Sequence, residues 1–281
     1  MTLRTDLHIH TTASDGRWHP QEVVAHVLEE GIGLFAVIDH ESVGSVEAAA
    51  ALAREAGLAF LNGVEISALF EGSVFHILGY GIDPRHAGLL DLLEANKARM
   101  NWINEEVLRR LIAAGYPVSL AEYEAFEYDL SRGGWKALNY LIDKGVCQGA
   151  QDFFTRLFVD PFRPPAPDFP PVPEVVDAVR AAGGVPILAH PGGSLRHVGV
   201  RGETLAPFRA LGVTGLECYS SYHDAQTTAV CLDFCARHDW LVTGGSDCHG
   251  GFVGRPLGVP RVDASDLRLG ELEGLVRAPV R

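Results

Sequence analysis

Two hydrophobic periods alternate along the chain. Short apolar runs at residues 2–9, 34–38, 58–66, 73–80, 185–189, 215–219 and 240–243 read as strands, with 73–80 a hairpin partner of 58–66 across Glu71-Gly72. Between them, residues 20–30, 45–56, 174–182, a stretch near 204–211, and 225–238 carry helical spacing, as in Val23, Val24, Val27 and Leu28. Pro20 suits a first helical turn, and Gly31 and Gly57 suit helix ends. Strands alternating with helices imply a parallel sheet carrying its helices outside.

The pattern changes in the middle. Residues 89–114, 120–128, 135–144 and 152–158 are helical runs with no convincing strand among them, and the proline-dense 161–173 that follows suits only an extended connection. The expected organisation is an α/β barrel built from residues 1–85 and 170–281, with 86–169 a helical insertion. No internal repeat interrupts this.

Each apolar strand run ends in groups that ionise or coordinate: Asp39-His40, Glu65, His190-Pro191, Glu217, and Asp247 with His249. In a parallel α/β barrel the carboxyl ends of the strands form one face, where active sites are built. Along a strand, residues two apart point the same way, so His8 and His10 aim together, as do Asp247 and His249. An isolated His-x-His is better explained as two solvated histidines on an edge strand, but loaded strand ends throughout the chain argue for a shared centre. Cys248 points away from its neighbours and reads as a packed small residue.

Imidazole and carboxylate ligands without thiolate suit zinc, manganese or iron. A carboxylate shared between two ions sets them ~3.5 to 4 Å apart, the usual arrangement for hydrolysing phosphate esters.

Composition narrows the classes. At 281 residues, 47% hydrophobic and 21% charged, with no long apolar run, the chain reads as globular and without a membrane span. Its net charge of -13 argues against a broad nucleic-acid-binding face, so a small anionic substrate needs a local positive centre such as bound metal. Five cysteines, with no Cys-x-x-Cys pair, argue against a disulfide framework. With no apolar signal region over the first six residues, the expectation is a cytoplasmic protein.

In order, Asp6-Leu-His-Ile-His-Thr-Thr-Ala-Ser-Asp-Gly16, Ile38-Asp-His40, Gly63-Val-Glu65, His76-Ile-Leu-Gly-Tyr80, Ala189-His-Pro191 and Gly245-Ser-Asp-Cys-His-Gly250 resemble the motifs of the polymerase and histidinol phosphatase (PHP) family of metal-dependent phosphoesterases. The resemblance covers everything outside the helical insertion. It implies a distorted (β/α)7 TIM-like barrel holding two or three divalent ions, Mn, Zn or Fe, with Mg admissible. Carried onto matching positions, it implies one ion held by His8, His10, Glu65 and Asp247. A second shares Glu65 and adds His76 and His190, and a third takes Asp15, His40 and His249. The intact ligand set argues against a metal-free binding module, and the first and last motifs favour a phosphoesterase over an amidohydrolase.

Within the family, the insertion resembles that of stand-alone nucleotide phosphatases. Arg132 falls where those relatives carry an Arg in a Gly-Arg-Pro-His-like segment, although this chain reads Ser131-Arg-Gly-Gly-Trp135. Tyr219-Ser-Ser-Tyr-His223 resembles a segment whose His meets the substrate phosphate, which makes His223 a candidate acid. Lys136, four residues after Arg132, is spaced to share one helix face with it, either looking into the barrel mouth or solvated, and Arg196 follows Ala-His-Pro-Gly-Gly as a candidate phosphate contact. Trp102, Trp135 and Tyr140 either stack a base or pack a core. Asp39 reads as orienting a neighbouring ligand.

The resulting expectation is hydrolysis of phosphate monoesters of small nucleotides, such as nucleoside 3',5'-bisphosphates, by water whose pKa the metal cluster lowers toward ~7. The alternatives are histidinol phosphate as substrate and 5'-3' trimming of short oligonucleotides.

Overall fold

The computed structural model describes residues 3–277. Seven strands follow one another around a single sheet in chain order: β1 (Arg4–Ile9), β2 (Leu34–Val37), β3 (Ala59–Phe70), β4 (Ser73–Tyr80), β5 (Val185–Leu188), β6 (Gly215–Ser220) and β7 (Leu241–Gly245). A two-residue strand that periodicity is too coarse to detect, β8 (Val262–Asp263), lies antiparallel on the far side of β1. Thr2 of the expected first strand and residues 278–281 of the expected barrel lie outside the described residues.

Among the first seven strands pairing is parallel except around β4, which runs antiparallel to both β3 and β5. This is where the barrel departs from regular alternation. The β3–β4 hairpin stays paired to Phe70↔Ser73, so β3 continues past the expected end at Ile66. The ring closes where Ile9 bridges Cys248, with the His10 amide donating to the Cys248 carbonyl at 2.9 Å. Closure depends on Gly245, because a Cβ there would stand 2.4 Å from the His8 backbone nitrogen. The result is a distorted (β/α)7 barrel.

Alternation sorts the side chains. Ala36 and Ile38 point inward to join Leu7, Leu61, Leu78, Tyr80, Ile187 and Ala189 in the barrel interior. Phe35 and Val37 point outward, against Val23 and Val27 of α1 (Pro20–Glu29) and Ala49 and Ala53 of α2 (Val46–Ala56). Each fully buried Leu, Ile, Val or Phe among them stabilises the fold by about 1.5–3 kcal/mol. α2 ends as expected on Gly57, whose φ of +70° costs a glycine little.

After β4 come α3 (Ala87–Ala113), α4 (Leu120–Ala125), α5 (Lys136–Asp143), the single turn α6 (Ala150–Asp152) and a π-helical turn, Phe153–Leu157. They share their own apolar cluster, built around Leu108, Leu111, Leu138, Leu141, Phe153 and Leu157. Tyr140 is 2% exposed within it and is therefore a core residue. The proline-rich stretch returns the chain to α7 (Val172–Ala181), with the Leu69 amide bonded to the Pro170 carbonyl at 2.8 Å. Three helices complete the barrel: α8 (Pro191–Ser194), α9 (Gly202–Ala210) and α10 (Ala225–His238). Among the described residues, no helix is long and apolar enough to cross a membrane.

Candidate metal centre

The register of β1 against β2 slips between Asp6 and Ile9. Leu7 can therefore remain in the barrel interior while Ile9 packs outward and His8 and His10 both turn to the same centre, each fully buried. The Asp6 carboxylate fixes this strand end, accepting from the amides of His8, Ser246 and Gly258 and from the Ser246 hydroxyl at 2.6–3.2 Å. Asp39 does the same for the following loop, accepting from the Thr11 amide and hydroxyl, the Ser14 hydroxyl and the Ser45 hydroxyl. That loop presents Asp15.

Glu65 is the hub. Its Oε2 lies 3.2 Å from His8 Nε2, His10 Nε2 and His40 Nδ1, and its Oε1 lies 2.8 Å from His76 Nδ1 and 2.9 Å from His190 Nε2. Asp247 Oδ1 approaches His10 Nε2 at 2.9 Å, and Asp15 Oδ1 approaches His249 Nε2 at 3.3 Å. Three overlapping groups have ligand atoms close enough to share an ion: His8, His10, Glu65 and Asp247; His40, Glu65 and His76; and His10, Asp15, His40 and His249. The first is the quartet that the sequence motifs imply. The second brings His40 where His190 was expected, and the third adds His10.

The donors fit cations. His10 Nε2, Asp15 Oδ1, His76 Nδ1, His190 Nδ1 and Asp247 Oδ1 are buried without a hydrogen-bond partner, although such atoms are ordinarily satisfied. Two of these residues hold unusual backbone, His190 at φ +23° and Asp247 at φ +54°, strain that persists where surrounding structure imposes a functional geometry.

Charge follows the same plan. Burial lowers His10 to about 4, aided by neighbouring His249, and burial also pulls His40 and His190 down, so these rings are neutral donors. Burial works against a charge on His8 too, but Glu217 and Glu65 outweigh it and raise this ring to about 10. For Glu65 burial favours the neutral acid, yet His40, His76 and His8 prevail and hold it ionised. Beside the cluster, burial pushes Glu41 up to about 7, where it accepts from the Ser67 amide and from Asn96 of α3.

Above the cluster opens a cavity of about 760 Å3 that Asp15, His40, His76, His190, Asp247 and His249 line from below. Arg196 lines it. Arg132 and Lys136 do not. Arg132 forms a two-pronged pair with Asp143, and Lys136 donates to the Glu124 carbonyl while lying over the Tyr123 ring, so both are spent within the helical segment. His223 is also displaced from its expected role. Its Nδ1 donates to the Cys218 carbonyl at 2.8 Å and its Nε2 accepts from the Gly192 amide at 2.9 Å, which pins the turn after His190 instead of facing the cavity. Trp135 lines the cavity, while Trp102 is 44% exposed elsewhere. Cys248 packs with Ile9 and Val37, and burial raises its thiol to about 11.

Three further residues belong to the site. Arg255 contacts Asp247 and lies 4.7 Å over the Tyr222 ring, and Arg163 lines the rim. Arg255 follows Gly254 and Arg163 lies within the proline stretch, so no helical or strand pattern points to them. Glu217, legible as a loaded strand end, proves to sit 2.8 Å behind His8 and to accept the His190 amide at 2.8 Å.

The barrel and the cluster of histidines and carboxylates at its carboxyl face together define a metal-dependent phosphoesterase. The chain is 29% identical over 255 residues to a 5'-3' exoribonuclease of Haemophilus influenzae, covering 89% of this chain and 91% of that one. It is 29% identical over 260 residues to a 3',5'-nucleoside bisphosphate phosphatase of Chromobacterium violaceum, covering 90% of each. A solved structure from Bifidobacterium adolescentis, provisionally described as a metal-dependent phosphoesterase, superposes with a TM-score of 0.83 at 28% identity, covering 99% of this chain and 96% of that one. No family model matches the chain. These similarities agree with the resemblance to the PHP family of metal-dependent phosphoesterases that the sequence motifs carry.

Proposed function

We propose that the chain removes phosphate from small nucleotides, with nucleoside 3',5'-bisphosphates the preferred class and trimming of short oligonucleotides from the 5' end a related activity. The observation that carries this reading is the convergence of orphaned imidazole and carboxylate atoms on Glu65 at the floor of a cavity large enough for a nucleotide and lined by Arg163, Arg196 and Arg255. In a chain of net charge -13, those arginines and the bound ions are what make this one concavity attractive to an anion.

His8, His10, Glu65 and Asp247 would hold one ion, Glu65 with His76, His40 and His190 a second, and Asp15, His40 and His249 a third, with Mn, Zn or Fe the metals such ligands suit. When bound, the ions supply Lewis acidity and a water of lowered pKa. The chain's own residues do the rest. Arg255, braced on Tyr222, and Arg196 bind phosphate oxygens, offsetting the charge that a loose transition state spreads over them. His223 holds the His190 turn through the Gly192 amide, so its effect on turnover is exerted through ligand placement. Glu217 orients His8 and the His190 backbone.

Residues 86–169 act as a helical lobe over the barrel mouth, a role supported by Trp135, Phe154, Phe158 and Val159 lining the cavity from that side. A reducing cytoplasm fits five buried free cysteines.

The test is release of inorganic phosphate from nucleoside bisphosphates, nucleoside monophosphates, 5'-phosphorylated oligonucleotides and histidinol phosphate, with Mn, Zn, Mg and Fe supplied in turn. Bisphosphates are expected to give the highest kcat/KM. A preference for histidinol phosphate by more than about tenfold overturns the substrate assignment.

A further inference from the structure

One wall of the cavity is aromatic, and no ion requires it. Trp135, Phe154 and Phe158 line it, with Arg163 at its edge. The π-helical turn separates two adjacent phenylalanines: Phe153 is 1% exposed in the helical core, whereas Phe154 is 52% exposed. Phe154 nevertheless sits in an aromatic cluster, its ring centroid 5.6 Å from Trp135 and 5.8 Å from Phe158. A ring held on a packed base with one side bare is a stacking platform.

Two polar observations point to the same occupant. The Trp135 indole Nε1 can only donate, and it is buried without an acceptor. Arg163 has no carboxylate partner among the described residues, and the carboxylates lining the cavity, Asp15 and Asp247, belong to the metal cluster. A flat heteroaromatic group bearing acceptors, joined to a second anionic group, satisfies the platform, the indole donor and the guanidinium together.

We propose that Trp135, Phe154, Phe158 and Arg163 form the specificity subsite of this cavity, stacking the nucleobase on the aromatic panel and pairing Arg163 with the phosphate that is not being cleaved. The proposal rests on the nucleotide reading above and assigns its selectivity to residues outside the metal cluster. Base stacking of this kind is sequence-tolerant, so adenine and uracil nucleotides both bind.

The experiment compares adenosine 3',5'-bisphosphate, adenosine 5'-monophosphate and ribose 5-phosphate as substrates of the metal-loaded enzyme and its variants. Phe154→Ala is expected to raise KM about tenfold for both nucleotides and to leave ribose 5-phosphate unchanged, with Phe154→Tyr restoring the wild-type value. Arg163→Gln is expected to raise KM for the bisphosphate alone. In chelator, adenosine 3',5'-bisphosphate is expected to quench tryptophan fluorescence in the wild type and not in Trp135→Phe. An unchanged nucleotide KM in Phe154→Ala, or an equal rise for ribose 5-phosphate, overturns the subsite while leaving the nucleotide reading standing. A wild type that hydrolyses ribose 5-phosphate but no nucleotide overturns both.

Discussion

Glu217 Oε1 stands 2.8 Å from Nδ1 of His8, while Nε2 of the same ring faces Glu65 at 3.2 Å. The imidazole is gripped from both sides. A carboxylate behind a metal-binding histidine fixes its tautomer and raises its basicity, and losing such a partner typically lowers metal affinity by roughly 10–100-fold. Glu217→Gln is expected to weaken metal binding by that factor while the far-UV circular dichroism is retained. Competition against a chelator measures it, and an unchanged affinity removes Glu217 from the metal site.

The same pair predicts a proton count. With its pKa raised to about 10, His8 carries a proton in the metal-free protein at neutral pH and must release it to coordinate. Because the bound form is the deprotonated one, metal affinity at this ligand rises with pH until about 10 and falls as pH drops. Calorimetry at neutral pH in buffers of different ionisation enthalpy should show about one proton released per ion at this position. Proton-independent binding contradicts the arrangement.

Glu65→Gln tests the hub. Five histidines face its two oxygens, and a neutral amide offers them no shared charge. Losing several kcal/mol of stabilisation corresponds to a fall in kcat of roughly 100-fold or more. Metal content measured by elemental analysis should fall with it. Full metal loading with full activity would rule out a bridging role.

Chelation should also destabilise the fold. An ion at about 100 times its dissociation constant stabilises the native state by about 2.7 kcal/mol, which for a chain of this size corresponds to about 5 °C in Tm. Differential scanning calorimetry with and without chelator reads the shift, and a transition indifferent to metal would contradict the cluster's contribution to stability.

How much of this was legible in the sequence depends on which physical signal each residue carried. Strand and helix periods placed the ring of strands and its outer helices closely, and the ends of the apolar runs marked His8, His10, His40, Glu65, His190, Asp247 and His249, whereas Asp15 and His76 came only from the family resemblance. Periodicity reports which face of an element a residue occupies, not where a loop turns. The spacing of Arg132 and Lys136 suggests one helix face, but Gly133 and Gly134, at φ +71° and +73°, redirect the chain between them. Arg163 and Arg255 lie in segments without any period. His223 carries a motif that marks its neighbourhood correctly, yet two backbone partners consume both of its nitrogens.

Gly245 carries one more consequence, and it concerns the order in which the molecule comes into being. The seam it permits joins the first strand to the seventh, and the ligands on either side of that seam are His8 and His10 at one end of the chain and Asp247 and His249 at the other. During synthesis, a nascent chain that has emerged only as far as β6 holds seven of the nine ligating positions, yet neither the His8, His10, Glu65 and Asp247 quartet nor the group that needs His249 is complete. Only the His40, Glu65 and His76 group is complete by then, so the ions of the other two groups can lock the barrel only after β7 has docked. Filling of the quartet thereby reports that the ring has closed.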